Sequence, residues 1–348
     1  MKFILAICAG LTVFCFACTD SSEPIVKQPV HVNVSLPSNF PEPIYDLSAN
    51  PLTEDGIVLG KMLFYDPQLS RNNAISCGFC HIQPAGFTHH GHDLSHGVDD
   101  KLGRRNSLPV QNLIWYKNFF WDGGVHNLDL VPLNAIGNPV EMDEEPEQIL
   151  MKLRAQDKYK AQFKAAFGTE EITSTRLLQS LSQFMATMIS ANSKYDKYVR
   201  NEGIELTQEE LDGHELFTQK CAPCHATDLF TDQTFRNNGY STASDLLKDQ
   251  GREEITLNPD DRGKFKVPSL RNIEYTAPYM HNGKLKTLQQ VLDFYAAGVQ
   301  VSPTLDPIIG ANTPPGIPLN EDEKKKIIAF LKTLTDEQFL SDRKFAEY

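Results

Sequence analysis

The chain has 348 residues, 41% of them hydrophobic, and a formal net charge of −12 at pH 7. This length allows two domains of ordinary size, and the hydrophobic content is sufficient to build a globular core. The acidic balance argues against a nucleic-acid partner, since polyanions are bound by basic surfaces.

The first residues are typical of an export signal. Lys2 supplies a positive start, and residues 3–17 form an apolar run that is too short to span a membrane. We therefore predict a signal peptide at 1–17. The tetrapeptide Cys15-Phe16-Ala17-Cys18 is similar to a bacterial lipobox, which predicts a lipid anchor on Cys18, and ordinary cleavage after Ala17 is the alternative. Either outcome places the protein in the periplasm, where Cys18 is its only predicted link to the membrane.

Two copies of Cys-x-x-Cys-His follow, at residues 77–81 and 221–225. In this motif two thiols bond covalently to a c-type haem and the adjacent histidine ligates the iron. A thioredoxin-like dithiol or a zinc site is the alternative, but either one leaves both histidines unused. The motifs therefore predict two covalent c-type haems, attached through Cys77, Cys80, Cys221 and Cys224 and ligated by His81 and His225. The other three of the seven cysteines lie in the first eighteen residues, so none remains for a structural disulfide.

The sequence around the two motifs is duplicated. A Gly-x-x-Leu-Phe segment precedes each cysteine pair, with Thr53 and Thr207 as the predicted N-caps of the two helices. An Asn and then an aromatic-rich turn follow each pair at matching distances. We predict a mostly α fold of two cytochrome c-like haem domains with long loops, at 46–205 and 206–348, behind a Pro- and Ser-rich tether at 18–45. Apolar periodicity predicts further helices at 144–155, 158–167, 175–189 and 320–334.

Residues 50–335 resemble the bacterial dihaem cytochrome c peroxidase family. The resemblance rests on both haem motifs and on the segments Arg-Asn-Ser at 105–107, Phe-Trp-Asp-Gly at 120–123, 265–272 and 276–283. It implies that the first haem is the hydrogen peroxide site and that the second transfers electrons. It also implies that Trp121 lies between the haems and that Glu141, which precedes Met142, is the catalytic acid–base group. By sequence alone, Glu141 is one of several acids at a solvated helix start.

The resemblance extends to two further groups of residues. Many family members close the peroxide haem with a distal histidine, and His96 is the best match among four histidines in the loop at 89–96. The family also has a calcium ion between the haems. The residues that match its ligands are Asn106, Thr276 and Pro278.

One position departs from the usual peroxidase pattern. The second haem of the peroxidases has a Met as its other ligand, fourteen residues after the histidine that matches His281, and Tyr295 occupies that place here. A tyrosine resembles the MauG type, whose dihaem enzymes oxidise residues of a partner protein. A phenolate favours ferric iron, whereas a thioether raises the potential. The alternatives are that Tyr295 only packs and that Met280, or no residue, ligates the iron.

We therefore expect a dihaem peroxidase that reduces hydrogen peroxide with electrons from a small periplasmic redox protein, a cytochrome c or a cupredoxin. The alternative enzyme is a MauG-type oxidase of a partner protein. A dihaem electron carrier is the non-enzymatic alternative, and it would keep both irons six-coordinate.

Overall fold

The structure, a computed structural model, describes residues 29–347, so the predicted signal peptide and Cys18 lie outside the described residues. Short helices joined by long loops make up most of this range, and the sheet consists of two antiparallel two-residue strands, β1 and β2. No helix in this range is both long and apolar enough to cross a bilayer. The helices and strands are α1 (Glu54–Phe64), α2 (Cys77–Cys80), α3 (Val131–Gly137), α4 (Pro146–Arg154), α5 (Asp157–Phe167), α6 (Ser174–Ala186), α7 (Lys194–Val199), α8 (Gln208–Lys220), β1 (Phe235–Arg236), α9 (Glu253–Thr256), β2 (Phe265–Lys266), α10 (Leu288–Ala297), α11 (Pro307–Gly310), α12 (Glu321–Lys332) and α13 (Glu337–Ser341).

The predicted helices and caps are confirmed, with shifts at their ends. The Thr53 side chain accepts a hydrogen bond from Gly56 N, and Thr207 forms a capping box with Glu210. The predicted helix 175–189 ends at Ala186 because the chain leaves it to pair with a loop. There Asn112 exchanges two side-chain hydrogen bonds of 2.9 Å with the backbone of Ser190.

The duplicated glycines mark two equivalent helix crossings. A Cβ on Gly60 in α1 would lie 1.9 Å from Ser180 O of α6, and one on Gly213 in α8 would lie 2.0 Å from Lys326 O of α12. No side chain fits at either position, so glycine is what allows each helix pair to approach this closely. The sequence repeat is therefore a repeat of a helix pair in which the first helix precedes the haem motif and the second follows it in sequence.

Two hydrophobic clusters correspond to the two halves. The first includes Leu59, Phe64 and Phe184, and the second includes Phe217 and Phe330. Their membership differs from the predicted domain boundaries at the C-terminus. Three residues beyond α12 pack in the first cluster although they follow the second haem motif in sequence: Phe339, Leu340 and Phe345.

The described part of the predicted tether lies against the first half. Residues 29–45 contain no helix or extended strand, as predicted, but their side chains and backbone make specific contacts. The Phe40 ring packs edge-on against Trp115 at 5.1 Å, and the Trp115 indole donates a hydrogen bond of 2.6 Å to Pro41 O. This stretch is therefore docked on the domain.

A buried ion pair links α7 to the segment after β2. Asp196 lies on α7, next to Tyr195 of the second cluster, and Arg271 lies in the segment after β2. Both side chains are 0% exposed, and two hydrogen bonds of 2.8 Å connect them. The Arg271 guanidinium also lies 4.4 Å from the centre of the Phe40 ring. Burial opposes ionisation of Asp196, but the hydrogen bonds and charge of Arg271 outweigh it and lower the pKa of this carboxyl.

Asp196→Ala should lower the free energy of unfolding of the haem-loaded protein by about 3–5 kcal/mol, because Arg271 would remain buried without its partner. Because the folded-state pKa of Asp196 is lowered, its contribution is present above the unfolded pKa and is lost as the pH falls. Urea denaturation at pH 7 and at acidic pH measures both effects. Asp157→Ala is the matched control, since its pair with Lys160 is exposed and should contribute about 1 kcal/mol or less. Equal losses for the two variants would contradict the prediction.

Candidate functional site

The first Cys-x-x-Cys-His motif forms one turn of helix. Helix α2 begins after Ser76, whose side chain accepts a hydrogen bond from Phe79 N, and ends at Cys80. A three-residue separation places both thiols on the same face of the turn. His81 Nδ1 lies 2.7 Å from Phe87 O, so Nδ1 carries the proton and donates it to that carbonyl. Nε2 is then the free ligand atom, as in histidines whose second nitrogen is held by a backbone carbonyl.

The second motif repeats this arrangement. His225 Nδ1 lies 3.1 Å from Phe230 O and 3.2 Å from Pro268 O, which again leaves Nε2 as the ligand atom. The two carbonyl-bearing phenylalanines also share a left-handed backbone, with φ of 59° at Phe87 and 53° at Phe230. The same local structure therefore orients the histidine in each half.

The thiols fit haem attachment better than redox or zinc chemistry. Burial raises the pKa of Cys77, Cys80 and Cys221 to about 12 and also raises that of Cys224. Reactive dithiols have lowered pKa values in electropositive surroundings, which is the opposite condition. Within residues 29–347, no group of three or more His, Cys, Asp or Glu side chains is arranged to hold a metal ion. The thiols instead line apolar cavities, and each has an oriented histidine beside it.

The first cavity has a volume of about 510 Å³ and contains the predicted acid–base residue. Its lining includes Cys77, His81, Trp121 and Glu141. Burial raises the pKa of Glu141 to about 7, while a hydrogen bond from Asn138 opposes the shift. A carboxyl group with this pKa exists in both protonation states near neutral pH, so it can accept and return a proton.

The loop that carries Glu141 is held by a glycine. Val98 N donates a hydrogen bond of 2.8 Å to Glu141 O. A Cβ at Gly97 would lie 2.2 Å from Val140 O and 2.4 Å from Glu141 O, so a side chain there would push the two loops apart. Gly97 is therefore needed for the position of Glu141.

The second cavity, of about 200 Å³, contains both candidate ligands. Tyr295 on α10 and Met280 line it together with Cys221, Cys224 and His225. Asn238 Nδ2 donates a hydrogen bond of 3.1 Å to the Tyr295 hydroxyl and lies 3.8 Å from Met280 Sδ. Burial raises the pKa of Tyr295 to about 12, and the Asn238 hydrogen bond acts in the opposite direction. Asn238 therefore favours the phenolate form of Tyr295.

Trp121 lines both cavities. Its indole N–H donates a hydrogen bond of 2.8 Å to Asn106 O, and its carbonyl accepts one of 2.7 Å from Lys266 N. The neighbouring Asp122 forms an ion pair with Arg105, which also binds Asp249 at 2.7 Å. The indole is therefore held by the first half and the backbone of Trp121 by the second, at the boundary between the two cavities.

His96 is not among the residues that line the first cavity. Its ring lies 4.5 Å from that of His92 and 5.8 Å from that of His89. His89 is 3% exposed, and its Nδ1 has no hydrogen-bond partner. The structure therefore places His96 in a cluster of three histidines, and its role as a distal ligand stays a prediction.

The three residues that match the calcium ligands are brought together. Asn106, Thr276 and Pro278 all line the second cavity. Asn106 N donates a hydrogen bond of 2.7 Å to the backbone oxygen of His281. Of the three, Asn106 also lines the first cavity, and the calcium site stays a prediction.

Sequence reasoning missed two residues of these cavities. Asn238 follows β1 in an Asn-Asn-Gly turn, which gives no sign of a partner 57 residues further along the chain. Lys266 belongs to the segment at 265–272 on which the resemblance rests, and it lines both cavities. Its place in that segment could have singled out Lys266, but it did not indicate what the side chain does.

Comparison with known proteins places this arrangement in a family. The sequence pattern described as di-haem cytochrome c peroxidase matches residues 54–203. The methylamine utilization protein MauG of Methylorubrum extorquens is 34% identical over 306 residues, which are 85% of this chain and 83% of that protein. Cytochrome c551 peroxidase of Nitrosomonas europaea is 35% identical over 303 residues, which are 85% of each chain. The chain belongs to the di-haem cytochrome c peroxidase family.

A solved structure agrees with this assignment. It is described as a MauG-like protein associated with microbial copper homeostasis, with a TM-score of 0.82 and 32% identity, and the match covers 90% of this chain and 99% of that one. Membership in the family makes the chain an oxidoreductase and implies two c-type haems. The two cavities with their Cys-x-x-Cys-His motifs are the places that fit them.

The mature protein should exceed the mass of its polypeptide by two haem masses, plus any lipid, because each motif supplies both thiols and a ligand. Intact-mass spectrometry measures this directly. The double variant Cys221→Ser/Cys224→Ser should lose one haem mass and keep the other. A protein without haem that binds zinc at the same cysteines would contradict the assignment of both sites.

Proposed function

We propose that this protein reduces hydrogen peroxide in the first cavity and that electrons reach this cavity through Trp121. One observation carries the proposal: Glu141 and Trp121 line the same cavity as the first haem motif, and Trp121 also lines the cavity of the second. The family assignment supports an oxidoreductase over the electron carrier. The proposed location is the periplasm, with a lipid anchor at Cys18.

Glu141 is the proposed proton carrier. When bound, the haems supply the redox chemistry. The Glu141 carboxylate accepts a proton from one peroxide oxygen and returns it to the other, so that the second oxygen leaves as water. A pKa of about 7 suits both transfers, because neither protonation state is strongly favoured near neutral pH. The partly buried position also limits exchange of the proton with solvent.

Trp121 is the proposed electron carrier. An indole is among the most readily oxidised side chains, and its N–H donates to Asn106 O. That carbonyl dipole stabilises positive charge on the ring, so it lowers the cost of a transient oxidised state. The fixed orientation from Lys266 N and Asn106 O reduces the reorganisation that electron passage requires.

The source of electrons separates two candidates. A small redox protein, either a cytochrome c or a cupredoxin, is the first, and the net charge of −12 suits a basic donor. The second is MauG-type oxidation of residues in a partner protein. Tyr295, in the place where the usual peroxidases have a methionine, favours the second candidate, because a phenolate ligand would store oxidising equivalents rather than accept electrons at an ordinary potential.

Glu141→Gln should slow peroxide reduction by about 10²-fold or more without changing haem content. In the native protein the rate should fall as the pH drops below about 7, since protonation removes the proton acceptor, and the variant should lack this limb. Steady-state rates across pH 5–9, as an order-of-magnitude working range around that pKa, measure both effects. Glu145→Gln is the control, because Glu145 is an exposed acid in the same run. Normal turnover in Glu141→Gln would contradict the role of Glu141 as proton carrier.

Tyr295→Met should raise the potential of the second haem and improve turnover with a cytochrome c donor, since thioether ligation favours ferrous iron. Met280→Leu is the matched control, because Met280 lies beside the same Asn238 amide. Redox titration of the three proteins separates the two candidate ligands. An unchanged potential in Tyr295→Met together with a shift in Met280→Leu would identify Met280 as the ligand and support the redox-protein donor.

A further inference from the structure

Lys266 is a buried cation whose charge is not balanced by protein. It lies on β2 and is 5% exposed. Its Nζ donates a hydrogen bond of 3.1 Å to Asn118 O and lies 4.4 Å from the centre of the Tyr116 ring. Between residues 29 and 347, no carboxylate oxygen lies within 4.0 Å of this nitrogen, although many other lysines of the chain have such a partner. Burial alone lowers the pKa of Lys266 to about 8.

Such an ammonium group is costly without an anion. Burial of an unpaired charge is unfavourable, and a neutral carbonyl and an aromatic ring offset only part of that cost. Lys266 lines both cavities, so an anion within either of them could pair with it.

The other cations that line the cavities already have partners. In the first cavity, Arg105 binds Asp122 and Asp249, and Arg104 binds Glu254. In the second cavity, the two cations with carboxylate partners are Lys220, with Glu323, and Arg236, with Asp232 and Asp306. Among the described Lys and Arg residues of the two linings, Lys266 is therefore the one available for an anionic ligand.

The ammonium group of Lys266 lies at the first cavity rather than at the second. Its aromatic neighbour Tyr116 lines the first cavity and not the second. The side chain of Lys266 therefore reaches from the second half of the chain, where β2 lies, to the cavity of the first haem motif. Its backbone N–H meanwhile holds Trp121 O.

We propose that Lys266 binds a propionate carboxylate of the first haem and thereby raises the potential of that haem. This inference rests on the haem assignment and is independent of the electron source. A cation beside the macrocycle stabilises the ferrous state relative to the ferric state, because the ferrous state carries one positive charge fewer. The same residue then links the electrostatics of the first haem to the bridge at Trp121.

Redox titration of Lys266→Met and Lys266→Arg tests this role. Lys266→Met should lower the midpoint potential of the first haem and change that of the second much less, with two haems still bound per chain. Lys266→Arg keeps the charge and should stay near the native value. Lys264→Met is the matched control, since Lys264 pairs with Asp261 and lines neither cavity. A first-haem potential that is the same in Lys266→Met as in the native protein overturns the proposal.

A crystal structure of the haem-loaded native protein gives a second test that does not depend on the stability of any variant. The expected result is a distance of 4.0 Å or less between Lys266 Nζ and a propionate oxygen of the first haem, about the limit for an ion pair. A longer distance, or a pair with the second haem, overturns the proposal. Neither measurement requires turnover, so failure of the peroxide chemistry would leave both results unchanged.

Discussion

The arrangement of both cavities depends on the buried ion pair between Arg271 and Asp196. This pair fixes the end of the segment at 265–272, which supplies part of the lining of both cavities. From the same segment, Lys266 N holds Trp121 O and Pro268 O orients His225. An ion pair that is completely buried tolerates little displacement, because any separation leaves two desolvated charges unpaired. The pair therefore restricts the position of the segment and of the cavity walls that it supplies.

The two halves share the local structure that holds each haem motif, and they differ in the other polar groups of their cavities. Both halves repeat a glycine helix crossing and a histidine whose Nδ1 is held by a backbone carbonyl. The two cavities differ in their remaining polar groups. A carboxyl with a pKa near 7 suits proton transfer in the first cavity, whereas a tyrosine that accepts a hydrogen bond from an amide suits ligation in the second. One scaffold thus provides two distinct chemical environments.

The connection between the halves is more extensive than a linker between two domains. The C-terminal residues Phe339 and Phe345 return to the first cluster, and Gln83 donates hydrogen bonds to Phe339 O and Asp342 O. Together with the contacts of Arg271 and Lys266, they show that residues of each half pack against and hydrogen-bond to the other half. Relative movement of the two halves would expose apolar surface and break buried hydrogen bonds, so the spacing across Trp121 is well defined.

Features that depend on neighbouring residues could be predicted from the sequence alone. Haem attachment is contained in five residues, and the helix starts at Thr53 and Thr207 depend on hydrogen bonds to residues three positions further on. Trp121 and Glu141 were also predicted, but only through resemblance to a family. The residues next to Glu141 in sequence do not distinguish it from the other acids around it.

Which groups meet in each cavity, by contrast, depends on the tertiary structure. Tyr295 receives its hydrogen bond from a residue 57 positions away, and Lys266 contacts Asn118 across 148 positions. The pKa of Glu141 likewise depends on burial by other parts of the chain. The physical reason is that desolvation and the pairing of buried charges depend on packing between distant segments, whereas caps, turns and covalent motifs depend on local geometry.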